Sequence, residues 1–230
     1  MDLINGIGDR AKEALNLDQY SRVNSPERIG GLDLETPDDR QYILRMFIKE
    51  PFGDFEIPPE LSWLVPVIKE AVEHQDSIGV RQPFCHVTVR HGEVTSEKDN
   101  EWHVDGFSMN VTHLPEQNYI WVNTHPTEYV ERAFNIPDDF DPSRHNIHLL
   151  FQDMMGDEDV KTLDEETLYC LDPYVVHRRP QVPTGIERTF VRISFCPMEI
   201  KDVNNTQNPL MPRRNGVEEF REELERYPIS

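Results

Sequence analysis

The sequence predicts a mainly β fold, an antiparallel sandwich or jelly roll. Two observations carry this. Between about residues 79 and 196 the chain offers seven short β-rich runs, PFCHVTVRH, EWHVDGFSM, NYIWVNTH, HNIHLLFQ, TLYCL, YVVHR and ERTFVRISF, with no helix between most of them. Turn material such as GEVTSEKDN, FNIPDDFDPSR, MMGDEDV and QVPTGI separates them. A third observation sets the scale: 230 residues with 37% hydrophobic content suit one domain with a core large enough to hold an internal site.

In chain order, residues 1–78 read as helical and loop-rich. Leu3, Ile7, Ala11, Ala14 and Leu15 recur at helical spacing, weakened by Gly6 and Gly8. Leu61, Leu64, Val65, Ile68, Ala71 and Val72 mark one buried helix face after Pro58 and Pro59. Pro66 lies inside that pattern and removes a backbone donor, so the helix is expected to kink there or to start a turn later. Residues 79–200 form the expected jelly-roll core. Residues 201–230 then read as an Asn- and Pro-rich loop followed by a short helix with Val217, Phe220, Leu224 and Tyr227 on one face.

Charge narrows the function classes. Asp plus Glu number 43 against 23 Lys plus Arg, a formal net charge of −20 that repels phosphate backbones and anionic membranes. A nucleic-acid or membrane partner is therefore not expected, and a small-molecule substrate is. The three cysteines, Cys85, Cys170 and Cys196, have no metal or redox spacing and are expected to be reduced thiols. The first 20 residues lack a basic segment followed by an apolar one, and no window approaches a membrane span, so a cytoplasmic protein is expected.

His103 and Asp105 stand two apart in a predicted strand, which sends both side chains from the same face. The dipeptide pattern alone is weak, since nine His and 19 Asp in 230 residues give about 0.7 matches by chance. His74 and Asp76 are such a match, at the end of a predicted helix where residues two apart do not face each other. The later segment YVVHRRPQVPTGIERTFVRISF adds His177 and a returning strand with Arg188, Phe190, Arg192 and Ser194 on one face. Two histidines and a carboxylate can take one face of an octahedral metal and leave positions open for co-substrates. An arginine buried in the same barrel needs an anion, and a bidentate carboxylate suits it.

His103-Val104-Asp105, then His177 72 residues after the aspartate, then Arg192, resembles the Fe(II)/2-oxoglutarate-dependent oxygenases. The resemblance covers residues of about 80 to 200. It implies a double-stranded β-helix core with flanking N-terminal helices and a C-terminal helix. It also implies Fe(II) held by His103, Asp105 and His177, with 2-oxoglutarate and dioxygen as co-substrates and succinate and carbon dioxide as co-products. By the same resemblance Arg192, with Ser194, binds the distal carboxylate of 2-oxoglutarate. Arg188 and Arg192 fall 11 and 15 residues after His177, similar to the taurine- and sulfate-ester-dioxygenase branch, and this implies that Arg188 meets the metal-side carboxylate or the substrate. Hydroxylation is the implied outcome, and the net charge of −20 favours a small molecule such as an amino acid or natural-product intermediate as its substrate.

Other assignments stay open at this point. His145 or His148 could supply the third ligand, and a cupin-type metalloenzyme that uses no 2-oxoglutarate would recruit them and dispense with Arg192. A jelly-roll binding module would leave His103 and Asp105 on the surface. Phe107, Tyr119 and Trp121 are candidates for shaping a substrate pocket, with core packing the competing role. Arg178 and Arg179, as strand neighbours, point to opposite faces, and a surface role is expected for them.

Overall fold

The computed structural model describes residues 16–51, 53–80, 82–95, 100–106, 116–142, 144–156 and 160–211. The expected helices over residues 3–15 and 217–227 lie outside them, as does Phe107. Nine strands are present among the described residues: β1 (Glu27–Gly31), β2 (Gln41–Lys49), β3 (Phe84–Glu93), β4 (Gln117–Val122), β5 (Glu128–Val130), β6 (Val160–Thr162), β7 (Thr167–Leu171), β8 (His177–Arg178) and β9 (Glu187–Cys196). They form a six-stranded sheet in the order β1-β7-β4-β9-β3-β2 and a three-stranded sheet in the order β6-β5-β8, antiparallel throughout. The chain is thus mainly β.

Strand alternation divides the large sheet into two faces. On one face Val87 and Val89 of β3, Tyr119 and Trp121 of β4, and Val191, Ile193 and Phe195 of β9 form the main core. They pack against Leu61, Leu64, Val67, Ile68 and Ala71 of the helical segment that precedes β3. That segment is a 3-10 helix, Pro59–Leu64, running into helix α1 (Val65–Ser77) with Pro66 in its first turn, where the missing N–H has no intrahelical partner to lose. Val65, expected on the buried face, is exposed because the 3-10 turn shifts the phase of the pattern.

The opposite face of the large sheet turns Thr88, Arg90, Ile120, Arg188, Phe190 and Arg192 toward a cavity. The small sheet supplies its other wall. Behind the small sheet Trp102, Val104, Val130 and Val176 pack with Ile147 and Phe151 of helix α2 (Ile147–Met154).

Three sequence expectations fail here. Residues 27–49 are not helix and loop but two strands of the large sheet, and both give poor strand signals. β1 carries two glycines and pairs on one side only, while β2 has register breaks and a positive φ of 42° at Arg45. HNIHLLFQ, read as a strand, is α2. Asn146 caps it by accepting from the His148 amide at 2.9 Å, and its apolar residues keep helical spacing with Ile147 and Phe151 buried. The described part of EWHVDGF, EWHVDG, is not an extended strand either: among the described residues only His103 bridges to a neighbour, and Asp105 and Gly106 form a turn with φ +81° at the glycine.

Candidate metal centre

His103 and His177 are joined through their backbones. Each donates its amide N–H to the other's carbonyl at 2.9 Å, which extends the small sheet by one bridge and sets the rings 4.4 Å apart between centroids. Alternation explains where they point: Trp102, Val104 and Val176 on either side go into the apolar layer under α2, and the two imidazoles go into the cavity. Asp105 reaches the same place from the turn, 7% exposed. The potential ligand atoms of the three residues all lie within 4.8 Å of one another.

Both rings have the tautomer a metal requires. His103 Nδ1 lies 2.8 Å from the Glu101 carbonyl and His177 Nδ1 lies 2.9 Å from the Val175 carbonyl; a carbonyl only accepts, so each Nδ1 carries the proton. In the neutral ring the Nε2 lone pair is then left for the interior. Burial, with the His177 ring adding to it, pushes the His103 pKa down to about 4, so this ring is neutral at pH 7.

Burial alone would raise the Asp105 pKa, but the Arg192 guanidinium holds it well below the usual carboxylate range. Arg192 Nη1 donates to Asp105 Oδ1 at 2.8 Å. The other oxygen, Oδ2, is buried, has no hydrogen-bond donor among the described residues and sits 3.5 Å from His177 Nε2. An ionised carboxylate oxygen left bare in this way is costly unless a cation meets it. The residues fit a divalent metal: two imidazole nitrogens and one carboxylate oxygen lie within 4.8 Å of one another, the donor set of a facial two-histidine, one-carboxylate centre.

Among the described residues His145 and His148 are not in this group. His148 lines the cavity, but its Nε2 lies 3.2 Å from the Val104 carbonyl, and His145 Nδ1 accepts from the Asp141 amide. Arg188 is 6% exposed and donates to the Thr124 and His125 carbonyls at 3.1 to 3.2 Å; no carboxylate pairs with it among the described residues. Burial first, then the nearby Arg179 and Arg90 charges, lower its pKa to about 10.

Three expectations are corrected by these positions. Tyr119 and Trp121 are on the core face of β4, where the tyrosine hydroxyl meets His74 Nδ1 at 2.8 Å and the indole donates to the Leu32 carbonyl at 2.8 Å; Ile120 between them faces the cavity instead. Ser194 does not line the cavity and donates to Asn118 Oδ1 at 2.5 Å. Arg179 does line it, whereas Arg178 pairs with Glu128 at 2.6 Å and stacks on Trp102. Arg90 and Thr127 were missed altogether. The signal for Arg90 was present, because Thr88 and Arg90 share one face of VTVR beside a strand already assigned inward-facing arginines.

No family model matches the chain, and no curated protein matches it. Solved structures do. The fold is similar to AviO1 from Streptomyces viridochromogenes Tue57 at 16% identity and a TM-score of 0.37, covering 90% of this chain and 83% of that one. It is similar to HygX from Streptomyces hygroscopicus, solved with nickel and 2-oxoglutarate bound, at 10% identity and a TM-score of 0.41 over 79% of each chain. A third is an oxidoreductase of the 2OG-Fe(II) oxygenase family from Burkholderia pseudomallei, at 12% identity and a TM-score of 0.33 over 90% of this chain and 82% of that one. At such values the chemistry has to be read from the side chains themselves.

Proposed function

We propose that this chain is an Fe(II)/2-oxoglutarate-dependent oxygenase built on a double-stranded β-helix, with His103, Asp105 and His177 as the metal ligands. The single observation that carries the reading is the bare, buried Oδ2 of Asp105 facing two imidazoles whose protons are tied to carbonyls on the far side. The metal, when bound, supplies the activation of dioxygen, coupled to decarboxylation of 2-oxoglutarate to succinate and carbon dioxide.

The chain's residues do the rest. The Glu101 and Val175 carbonyls fix the two ring orientations. Arg192 holds the Asp105 carboxylate so that one oxygen turns to the ion. Because Arg192 is engaged there, the co-substrate's distal carboxylate goes to Arg188, whose buried charge meets no carboxylate among the described residues, with Thr127 also lining the cavity. Ile120 and Phe190 give the cavity apolar surface. A small-molecule substrate is supported by the net charge of −20. The absence of His145 and His148 from the ligand group favours this reading over a histidine-rich cupin centre.

Anaerobic addition of Fe(II) and then 2-oxoglutarate is the test. A weak visible absorption band from the chelate is expected in the wild-type protein and should vanish in His103→Ala. No band, or a band that survives the substitution, removes the assignment.

A further inference from the structure

Residues 101–104 carry one proposed metal ligand and lead into the next, yet they pair with a strand only through the single bridge from His103 to His177. All four of their carbonyls are nonetheless engaged. Glu101 O accepts from His103 Nδ1 at 2.8 Å, and His103 O accepts from the His177 amide at 2.9 Å. The Trp102 and Val104 carbonyls alternate with that of His103 and point to the opposite edge, where no strand pairs with the segment among the described residues. Helix α2 takes that place. Gln152 Nε2 donates to Trp102 O at 3.0 Å, and His148 Nε2 donates to Val104 O at 3.2 Å.

Two periodicities make this fit. Residues four apart on a helix are separated by about 6 Å along its axis, and residues two apart on an extended chain by about 6.6 Å. Two side chains one turn apart on α2 therefore span two carbonyls of the segment, with the helix running in the opposite direction. Ile147 and Phe151, next to them in sequence, belong to the apolar layer that holds the Trp102 and Val104 side chains. The helix thus covers one face of the segment and also occupies its edge. The His148 ring lies edge-on to that of His103, 6.0 Å away between centroids.

The clamped carbonyls occupy telling positions. A peptide unit is planar, so holding the Trp102 carbonyl orients the N–H of His103, and holding the Val104 carbonyl orients the N–H of Asp105. Each clamp acts on the peptide immediately before a proposed ligand. We infer that His148 and Gln152 are positioning residues of the metal centre, setting the two peptides from which His103 and Asp105 depart in place of a flanking strand. The inference rests on the ligand assignment made above. It gives α2 a part in the site although His148 is its one residue on the cavity lining.

Calorimetric titration of Mn(II) into the metal-free full chain, read beside its thermal transition, tests this. Gln152→Met and His148→Leu remove the donors at similar size, and together they should weaken Mn(II) at least about tenfold, the usual cost of losing a group that orients a ligand. Gln152→Met alone should already weaken it, and because Gln152 is not on the cavity lining that loss cannot come from direct ligation. His148→Gln, whose amide nitrogen takes the place of Nε2, should recover part of the His148→Leu loss. Phe151→Leu loosens the same apolar layer with both donors kept; it should lower Tm and leave Mn(II) affinity within about threefold of wild type. Unchanged affinity in the double variant overturns the inference, as does an equal loss in Phe151→Leu at a matching fall in Tm. Should the double variant not fold, Gln152→Met alone is judged against Phe151→Leu by the same criteria. Should wild type bind no Mn(II), the ligand assignment fails separately, and hydrogen exchange in the metal-free chain still decides the clamp. The His103 and His177 amides should then exchange at least about tenfold faster in the double variant while those of β9 keep their rates, and unchanged exchange overturns the inference.

Discussion

Arg192 Nη1 donates to Asp105 Oδ1 at 2.8 Å, with the two side chains 14% and 8% exposed. The arginine comes from the large sheet and the aspartate from a turn beside the small one, so one ion pair ties the two walls of the cavity together at the candidate metal centre. Replacing Arg192 by Met leaves a buried carboxylate without its counter-charge, which costs on the order of 3 kcal/mol. A fall in Tm of roughly 6–12 °C is the expected size for a chain of this length, read by differential scanning calorimetry. Metal affinity should fall as well, by about tenfold or more, because Asp105 loses the contact that orients it.

Removing a ligand has a sharper effect on metal than on fold. His103→Ala and His177→Ala should each lower Mn(II) affinity by more than about 100-fold, since even partners one step removed from an ion cost 10- to 100-fold. The backbone hydrogen bonds between the two positions do not involve the side chains and should persist. Calorimetric Mn(II) titration beside circular dichroism separates the two effects.

Arg188→Met should weaken 2-oxoglutarate by about 30-fold or more while leaving Mn(II) binding within a few-fold of wild type, because the residue touches carbonyls and no proposed ligand. An unchanged 2-oxoglutarate affinity would return that role to Arg192.

Trp121→Phe removes the indole bond to the Leu32 carbonyl and should cost about 1–2 kcal/mol of stability in urea unfolding. Turnover should be unaffected, since the side chain faces the core under α1. Ile120→Phe, one residue away on the cavity face, should do the reverse and change substrate affinity at little cost to the fold.

His86 gives the acid side of the stability profile. It is 1% exposed, accepts from the Ile200 amide at 3.3 Å, and burial, then the Arg45 and Arg192 charges, lower its pKa from 6.5 to about 3. The unfolded chain therefore binds a proton that the folded one refuses. Stability should be undiminished by this group above pH 6.5 and fall steadily toward pH 3, by up to about 1.4 kcal/mol per pH unit. In His86→Gln the unfolding free energy measured between pH 6 and 4 should fall less steeply.

How far the sequence could be read depended on whether a residue's neighbours were local. The mainly β composition, the strands around Val87, Trp121 and Val191, and the helix around Ile68 all follow from alternation or helical spacing within a few positions. The gathering of His103, Asp105 and His177 was expected from residue order and a family resemblance; its physical cause, a backbone bridge between residues 74 apart, is tertiary. Alternation says that Tyr119 and Ile120 oppose each other but not which of them faces the cavity, because both faces of the large sheet are buried. Arg179 was set aside although a local clue existed: alternation sends the residue two beyond an inward-facing His177 to the same side. Strands β1 and β2 escaped detection because glycines and register breaks blur their period.

The paired amides of His103 and His177 have one further implication. They hold the two backbones at a fixed separation, and the Glu101 and Val175 carbonyls hold the rings, so adjustment of these two groups to the radius of a bound ion would be small. Most of that adjustment would then fall on Asp105, which hangs from a turn whose glycine has φ +81° and accepts from the Arg192 guanidinium. On the proposed function, discrimination among Mn(II), Fe(II), Co(II) and Ni(II) would rest on one hinge, and substitution of Gly106 should reorder preference among these ions before it abolishes capture of any of them.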